Sequence, residues 1–296
     1  MGYRELFASQ PSLFMGNQQT FEEATYVILG VPLDATSTYR SGSRFAPQAI
    51  REASLNIEGY SFRTKIDVED LKIHDLGDLH IEGDVNVTLE HLALVAQELF
   101  EAQKVPVILG GEHTITHGVT RNLGKNAAIV SFDAHLDLHN EYLGVTTSHA
   151  TFMRRIHERA NHSKILEVGT RAVCLEGLQY AKKSGIDFVT ARQLREDGTA
   201  KAVEVIDCIL ADYEKIYLTI DFDVLDPAFG PAVQNPEPEG LDTITLLNLL
   251  NEICDKRVIG FDLVEVTPLY DRGVTAIQAA KTVFEVLCFL EKARKA

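Results

Sequence analysis

Two apolar runs in this chain each stop at carboxylates spaced by two, and that repeated pattern constrains the fold more than any other feature. Ile129 to Phe132 leads into Asp133, His135 and Asp137, and Ile216 to Ile220 leads into Asp221 and Asp223. Apolar, β-branched runs of this length read as buried strands. In extended backbone, residues two apart face the same way, so the spacing predicts one shared pocket at the strand ends. Four carboxylates converging there would repel one another and resist ionisation unless cations neutralised them. A divalent metal centre resolves that conflict.

Six further strand candidates lie at residues 26–30, 72–77, 105–113, 164–169, 186–190 and 257–262. Helical patterns separate most of them: Pro47 opens one through about residue 56, and Leu89, Leu92, Val95, Ala96 and Leu99 form an apolar stripe in the next. Others are expected from Ile115 onward and over residues 151–158, 199–213 and 276–292. Strands alternating with helices predict a parallel α/β fold, with a closed eight-stranded barrel as the alternative. The spread of apolar runs over 296 residues favours a single domain covering 1–296. Residues 1–25, polar and including Gln10 and Pro11, read as an N-terminal arm or cap able to pack against a neighbouring subunit.

A formal charge of −15 excludes nucleic acid and anionic membrane surfaces as partners and suits a cationic ligand. Cys174, Cys208, Cys254 and Cys288 are widely spaced with no CxxC pair, as in a reduced, cytoplasmic protein. No apolar leader and no uncharged apolar run of about 18 residues is present, so secretion and membrane insertion are not expected.

Gly110 and Gly111 permit a tight exit from the third strand and bring His113 to the same end as the carboxylates. His113, Asp133, His135, Asp137, Asp221 and Asp223 then offer two imidazoles and four carboxylates, a charge that two divalent cations balance. Sulfur-free, carboxylate-rich ligation fits two Mn²⁺ ions, with Fe, Co, Ni and Zn left open by the imidazoles. Two ions roughly 3.5–4 Å apart can share and activate a water. A single aspartate at a strand end is ordinarily a cap or an ion-pair partner; six converging donors are not explained that way.

Gly110-Gly-Glu-His113, Asp133-Ala-His-Leu-Asp137, Ser148-His149, Asp221-Phe-Asp-Val-Leu-Asp-Pro227 and Asp262-Leu-Val-Glu-Val-Thr-Pro268 occur in order along the chain. In these motifs the sequence resembles the ureohydrolase family of arginases and agmatinases, the agmatinase branch more closely, from Gly30 to Ala279. The resemblance implies an arginase-like three-layer α/β/α sandwich with a parallel eight-stranded sheet, and a homotrimer or homohexamer. It implies one ion on His113, Asp133, Asp137 and Asp221 and another on His135, Asp133, Asp221 and Asp223. The implied reaction hydrolyses a guanidino compound to an amine and urea. Glu265 would hold the guanidinium, Asp223 would accept a hydrogen bond from the nucleophile, and His149 would shuttle protons, titrating near neutrality as imidazole does. Asn140 and Tyr142, in the loop after the aspartate cluster, join Glu265 and His149 as expected substrate contacts. Asp262 is expected to support the site from behind, and Arg171 to tether Glu176 or a subunit contact.

That loop matches agmatinases better than arginases, so agmatine is the expected substrate. Guanidinobutyrate or another ω-guanidino acid is the alternative, then arginine; a noncatalytic metal-binding assembly protein is the alternative of a different class. Departures from the family pattern fall at Glu112 (usually Asp), His139 (usually Tyr), Ala150 (usually Gly) and residues 230–236. Loss of glycine at 150 is expected to restrict the loop, and Glu112 to alter the support around His113.

Overall fold

Alternating burial along the strands divides the core into two faces. The computed structural model describes residues 3, 7–9, 13–124, 126–159 and 164–296; Gln10 and Pro11 of the expected arm lie outside them. Its strands are β1 (Ala8–Ser9), β2 (Tyr26–Val31), β3 (Ile73–Leu79), β4 (Val105–Gly110) and β5 (Ala127–Phe132). They continue with β6 (Lys164–Thr170), β7 (Asp187–Thr190), β8 (Lys215–Asp221) and β9 (Val258–Val264). The α-helices are α1 (Ala46–Ser54), α2 (Val85–Glu101), α3 (Ile115–Val119), α4 (Phe152–Arg159) and α5 (Leu175–Ser184). They continue with α6 (Ala191–Asp197), α7 (Thr199–Leu210), α8 (Thr243–Ile253) and α9 (Val274–Lys295).

All strands among the described residues join one sheet in the order β1-β3-β2-β4-β9-β8-β5-β6-β7. β2 to β9 run parallel, and the two-residue β1 adds antiparallel to β3. This is the expected eight-stranded parallel sheet with a short extra edge strand. Because the sheet has two edges, the closed-barrel alternative is not realised. Tyr26, Ile28, Val107, Val130, Leu218 and Phe261 point to one face, covered by α1 and α6 to α9. Val27, Leu29, Ile108, Ile129, Ile165 and Tyr217 point to the other, covered by α2 to α5. Burying both faces of the sheet explains why its strands read as nearly continuous apolar runs.

Within the segment expected as an arm or cap, Phe14 is fully buried against the first face and its backbone N–H donates to Asp75 at 2.9 Å. Phe7 O accepts from His80 N at 2.6 Å. Helices α5, α6 and α8 were not foreseen from the sequence.

Candidate metal centre

The two apolar runs that end in carboxylates are β5 and β8, adjacent at the middle of the sheet. Register pairs Ser131 with Thr219 and with Glu167, and Thr219 with Asp262, forming a buried polar row on the α2–α5 face. Asp133 and Asp221 stand two residues further along, so extended spacing does place the first carboxylate of each run on that face. Turns place the others. Residues Phe222–Val224 form a 3-10 turn in which Asp223 N donates to Asp221 Oδ1 at 2.8 Å, and Asp137 takes a left-handed φ of 51°. The expectation that β-spacing alone gathers all the ligands is therefore corrected.

Two groups of donor atoms result, His113–Asp133–Asp221 and Asp133–His135–Asp223, each lying within 4.8 Å of one another. His113 Nδ1 is 3.1 Å from Asp133 Oδ2, 3.0 Å from Asp221 Oδ2 and 3.7 Å from Asp137 Oδ2. His135 Nδ1 is 3.0 Å from Asp223 Oδ2 and 3.4 Å from Asp133 Oδ1. Asp133 thus belongs to both groups. Asp221 belongs to one only, and Asp137 stands at the edge of the first.

Hydrogen bonding selects the His113 tautomer. Thr219 Oγ1 gives its single proton to Asp262 Oδ1, so toward His113 Nε2, 2.7 Å away, it can only accept. Nε2 therefore carries the ring proton, and Nδ1 faces the carboxylates with no hydrogen-bond partner. Asp262, as expected, supports from behind, also accepting from Thr116 at 3.0 Å and Tyr217 at 2.9 Å. A lone pair directed at carboxylate oxygens is repulsive unless a cation lies between them. An imidazole oriented through its other nitrogen is the usual arrangement of a metal-binding histidine.

Electrostatics lead to the same conclusion. Burial pushes Asp137 and Asp221 well above the usual carboxylate range, and neighbouring aspartates push further. Burial also raises Asp133, but when no metal is bound the imidazoles of His113 and His135, each carrying an extra proton, outweigh it and hold that carboxyl low. In the same way burial lowers both histidines while the aspartates raise them, with a net upward shift. Without a metal, protons must supply the missing positive charge. The sulfur-free oxygen and nitrogen donors and the orphaned Nδ1 suit two divalent cations of the Mn²⁺ type.

Over the clusters lies a cavity of about 280 Å³ whose walls include His135, Asp137, Asp221, Asp223, Tyr142, His149, Glu237 and Glu265. Glu265 follows β9 with a left-handed φ of 70° and is 2% exposed. Strain at a non-glycine residue persists where the surroundings enforce it. Here Glu265 N donates to Gly111 O at 2.8 Å, and its carbonyl accepts from Gln234 N at 3.1 Å, in the unusual 230–236 loop. Oε1 accepts from His113 N at 2.5 Å, while Oε2 is buried without a partner. Among the described residues no arginine satisfies it: Arg51 is paired with Asp75 and Asp78, and Arg40 donates to Pro231 O.

His149 is 6% exposed and stands edge-on to Tyr142, with ring centroids 6.2 Å apart. Burial, and then the charge of His135 and His113, lowers its pKa to about 4, so the ring is neutral at pH 7 and the expected titration near neutrality is corrected. Ala150 is not among the residues with positive φ, so replacing glycine there causes no backbone strain. Asn140 does not line the cavity. It is exposed, and its Oδ1 accepts from Arg155 at 3.0 Å.

Arg171 does not tether Glu176, which pairs with Arg154 instead. It donates to the carbonyls of Gly169, Asp223, Val224, Leu225, Glu237 and Pro238, clamping the loop that carries Asp223. Sequence reasoning missed this role, and that of Thr219, because carbonyl and hydroxyl partners leave no spacing signal.

The model of the arginase family matches residues 24–288. The agmatinase of Pyrococcus horikoshii is 36% identical over 271 residues, covering 90% of this chain and 92% of that protein. The N(1)-aminopropylagmatine ureohydrolase of Thermococcus kodakarensis is 36% identical over 267 residues, covering 89% and 90%. The crystal structure of agmatine ureohydrolase of Thermoplasma volcanium matches with a TM-score of 0.90 at 34% identity, covering 99% of this chain and 98% of that one. The sheet order, the paired clusters at its strand ends and these matches agree, and the chain therefore belongs to the arginase family of ureohydrolases.

Proposed function

We propose that this chain hydrolyses a guanidino compound with a cationic tail, agmatine being the best fit, to putrescine and urea. The observation that carries the reading is Glu265: a carboxylate oxygen buried without a partner, in the wall of a cavity over two metal-type clusters. Burial raises its pKa well above the usual range, so a planar cation is the partner that keeps it ionised. No lysine or arginine is among the residues lining that cavity, whereas Glu237 is. A tail carboxylate, as in arginine or guanidinobutyrate, would find no fixed cation there; a tail ammonium suits these walls.

In this reading His113, Asp133, Asp137 and Asp221 would hold one divalent ion, and His135, Asp133 and Asp223 the other, with Asp221 the ligand that the family pattern alone adds to it. When bound, the pair supplies Lewis acidity and an activated water. Glu265 grips the guanidinium nitrogens and turns its carbon toward the clusters. Asp223, with Oδ1 held by Ala134 N–H at 3.1 Å, accepts a hydrogen bond from the attacking water. Water oxygen bonds to the guanidinium carbon, and the C–N bond to the tail breaks with its electron pair passing to the amine nitrogen. That nitrogen takes up both water protons as the urea carbonyl forms: Asp223 passes on the first and neutral His149 relays the second. Tyr142 packs against His149 and borders the substrate; Asn140 supports the loop through Arg155. Such a complete donor set beside Glu265 argues against a noncatalytic assembly protein.

The proposal extends to the whole chain acting as one ureohydrolase domain over 1–296 in the cytoplasm, with 1–25 as an N-terminal arm or cap of which Ala8–Ser9 adds to the sheet edge. All strands belong to one sheet, the four cysteines are free, and no helix among the described residues is long and apolar enough to cross a membrane. A homotrimer or homohexamer is supported by an exposed patch of Tyr39, Phe45, Leu269 and Tyr270, with Arg40 stacked 5.3 Å from one tyrosine ring and 5.2 Å from the other.

The test is urea release by Mn²⁺-reconstituted protein from agmatine, N(1)-aminopropylagmatine, guanidinobutyrate and arginine. The highest kcat/KM is expected for an amine-tailed substrate. Preference for guanidinobutyrate or arginine would overturn the tail assignment, and no release from any of them would overturn the reaction.

A further inference from the structure

Glu112 is fully buried at the exit of β4. Gly111, beside it, packs so closely on Leu33 that a Cβ would sit 1.9 Å from the Leu33 carbonyl oxygen, and Glu112 N donates to that same carbonyl at 2.8 Å. The Glu112 carboxylate is thereby fixed beneath the loop after β2. It accepts from Thr36 N at 2.7 Å, from the Thr36 hydroxyl at 2.9 Å and from the Thr114 hydroxyl at 2.8 Å.

Thr36 has one hydroxyl proton, and Glu112 takes it. Toward other neighbours Thr36 Oγ1 can only accept. Two His149 groups meet it: the backbone N–H at 3.2 Å and ring Nδ1 at 3.3 Å. Nδ1 must therefore carry the ring proton. The unprotonated nitrogen is Nε2, 3.2 Å from the hydroxyl of Thr38, which lines the cavity with His149.

We propose that Glu112 is a positioning residue, fixing the tautomer and orientation of His149 through Thr36 so that Nε2 is the nitrogen that relays protons. The inference rests on the reading of His149 given above. The Glu112 side chain reaches from the β4 exit to both donors of Thr36. A glutamine there would offer an amide N–H to Thr36, release the threonine proton toward Nδ1 and reverse the tautomer.

The experiment compares the Mn²⁺-loaded full chain with Glu112→Gln, Thr36→Val and Thr36→Ser. Glu112→Gln and Thr36→Val are expected to lower kcat for urea release by roughly 10–100-fold, as loss of an orienting partner does. KM should change by less than about threefold, which separates lost proton relay from lost substrate binding, with metal content unchanged. Thr36→Ser, keeping the hydroxyl, should recover most of the loss. In a His149→Phe background neither Glu112→Gln nor Thr36→Val should lower kcat further, because both act through the missing ring. Nitrogen-15 spectra of the histidines in Zn²⁺-loaded protein give a readout independent of turnover. Wild type should show His149 protonated at Nδ1, and Thr36→Val should lose that preference. Wild-type kcat in Thr36→Val, full additivity with His149→Phe, or a His149 protonated at Nε2 in wild type would each overturn the proposal. If wild type released no urea, the reaction would be refuted while the spectra still decided the tautomer. If Glu112→Gln failed to fold, Thr36→Val, in a half-buried loop, would carry the test.

Discussion

Asp223 shows how much one side chain is asked to do. Its Oδ1 anchors to Ala134 N–H, its Oδ2 lies 3.0 Å from His135 Nδ1, and its backbone is fixed by Asp221 and by Arg171. Asp223→Asn preserves the shape and removes the charge. Metal analysis is expected to find one site weakened, with turnover lower by about two orders of magnitude or more; near-normal values of both would refute the ligand role. The metal-type residues were legible in the sequence because aspartate and histidine recur there at short intervals after apolar runs. Thr36 and Thr219 were not, since their partners Glu112 and His113 lie 76 and 106 residues away and a hydroxyl has no distinctive spacing. Asn140 was misread for a related reason. Loop composition says which groups are near a site, not which way each one points.

At the scale of elements, the exits of β4, β5, β8 and β9 converge where ligands gather in open parallel sheets, beyond the carboxyl ends of the strands. All eight parallel strands were legible, because each is buried on both faces. Helices α5, α6 and α8 escaped notice: the strands beside them dominate the apolar pattern, and α6 spans only seven residues. The short helix α3 carries His117, 7% exposed, whose pKa burial and nearby Arg121, Arg159 and Arg155 lower to about 4. Above its unfolded pKa of about 6.5 the ring is neutral in both states and has no effect on stability. As pH falls from about 6.5 to 4 the unfolded chain binds a proton that the folded chain refuses, so up to about 3 kcal/mol of stability is lost. His117→Gln is expected to lose that much less than wild type over the same interval in denaturant titrations. Equal losses would show that the ring is not held neutral.

At the scale of the whole molecule, a charge of −15 and a cavity walled by carboxylates favour the approach of cations, both metal and substrate. The fold class was legible from strand–helix alternation, whereas the choice between open sheet and barrel depended on sheet edges that no local pattern encodes. The surface around Leu269, 69% exposed beside Tyr270 and Tyr39, is the face that the proposed oligomer would bury. Leu269→Glu should shift the sedimentation coefficient toward that of a monomer; an unchanged assembly would place the interface elsewhere.

On the proposed reading His113, Asp133, His135, Asp137, Asp221 and Asp223 form a centre that requires two ions. The most direct measurement titrates metal-free protein with Mn²⁺ and follows bound ion and urea release from agmatine together. Full turnover is expected only as the second ion per chain binds. Full turnover with one ion bound, or none with two, would contradict it.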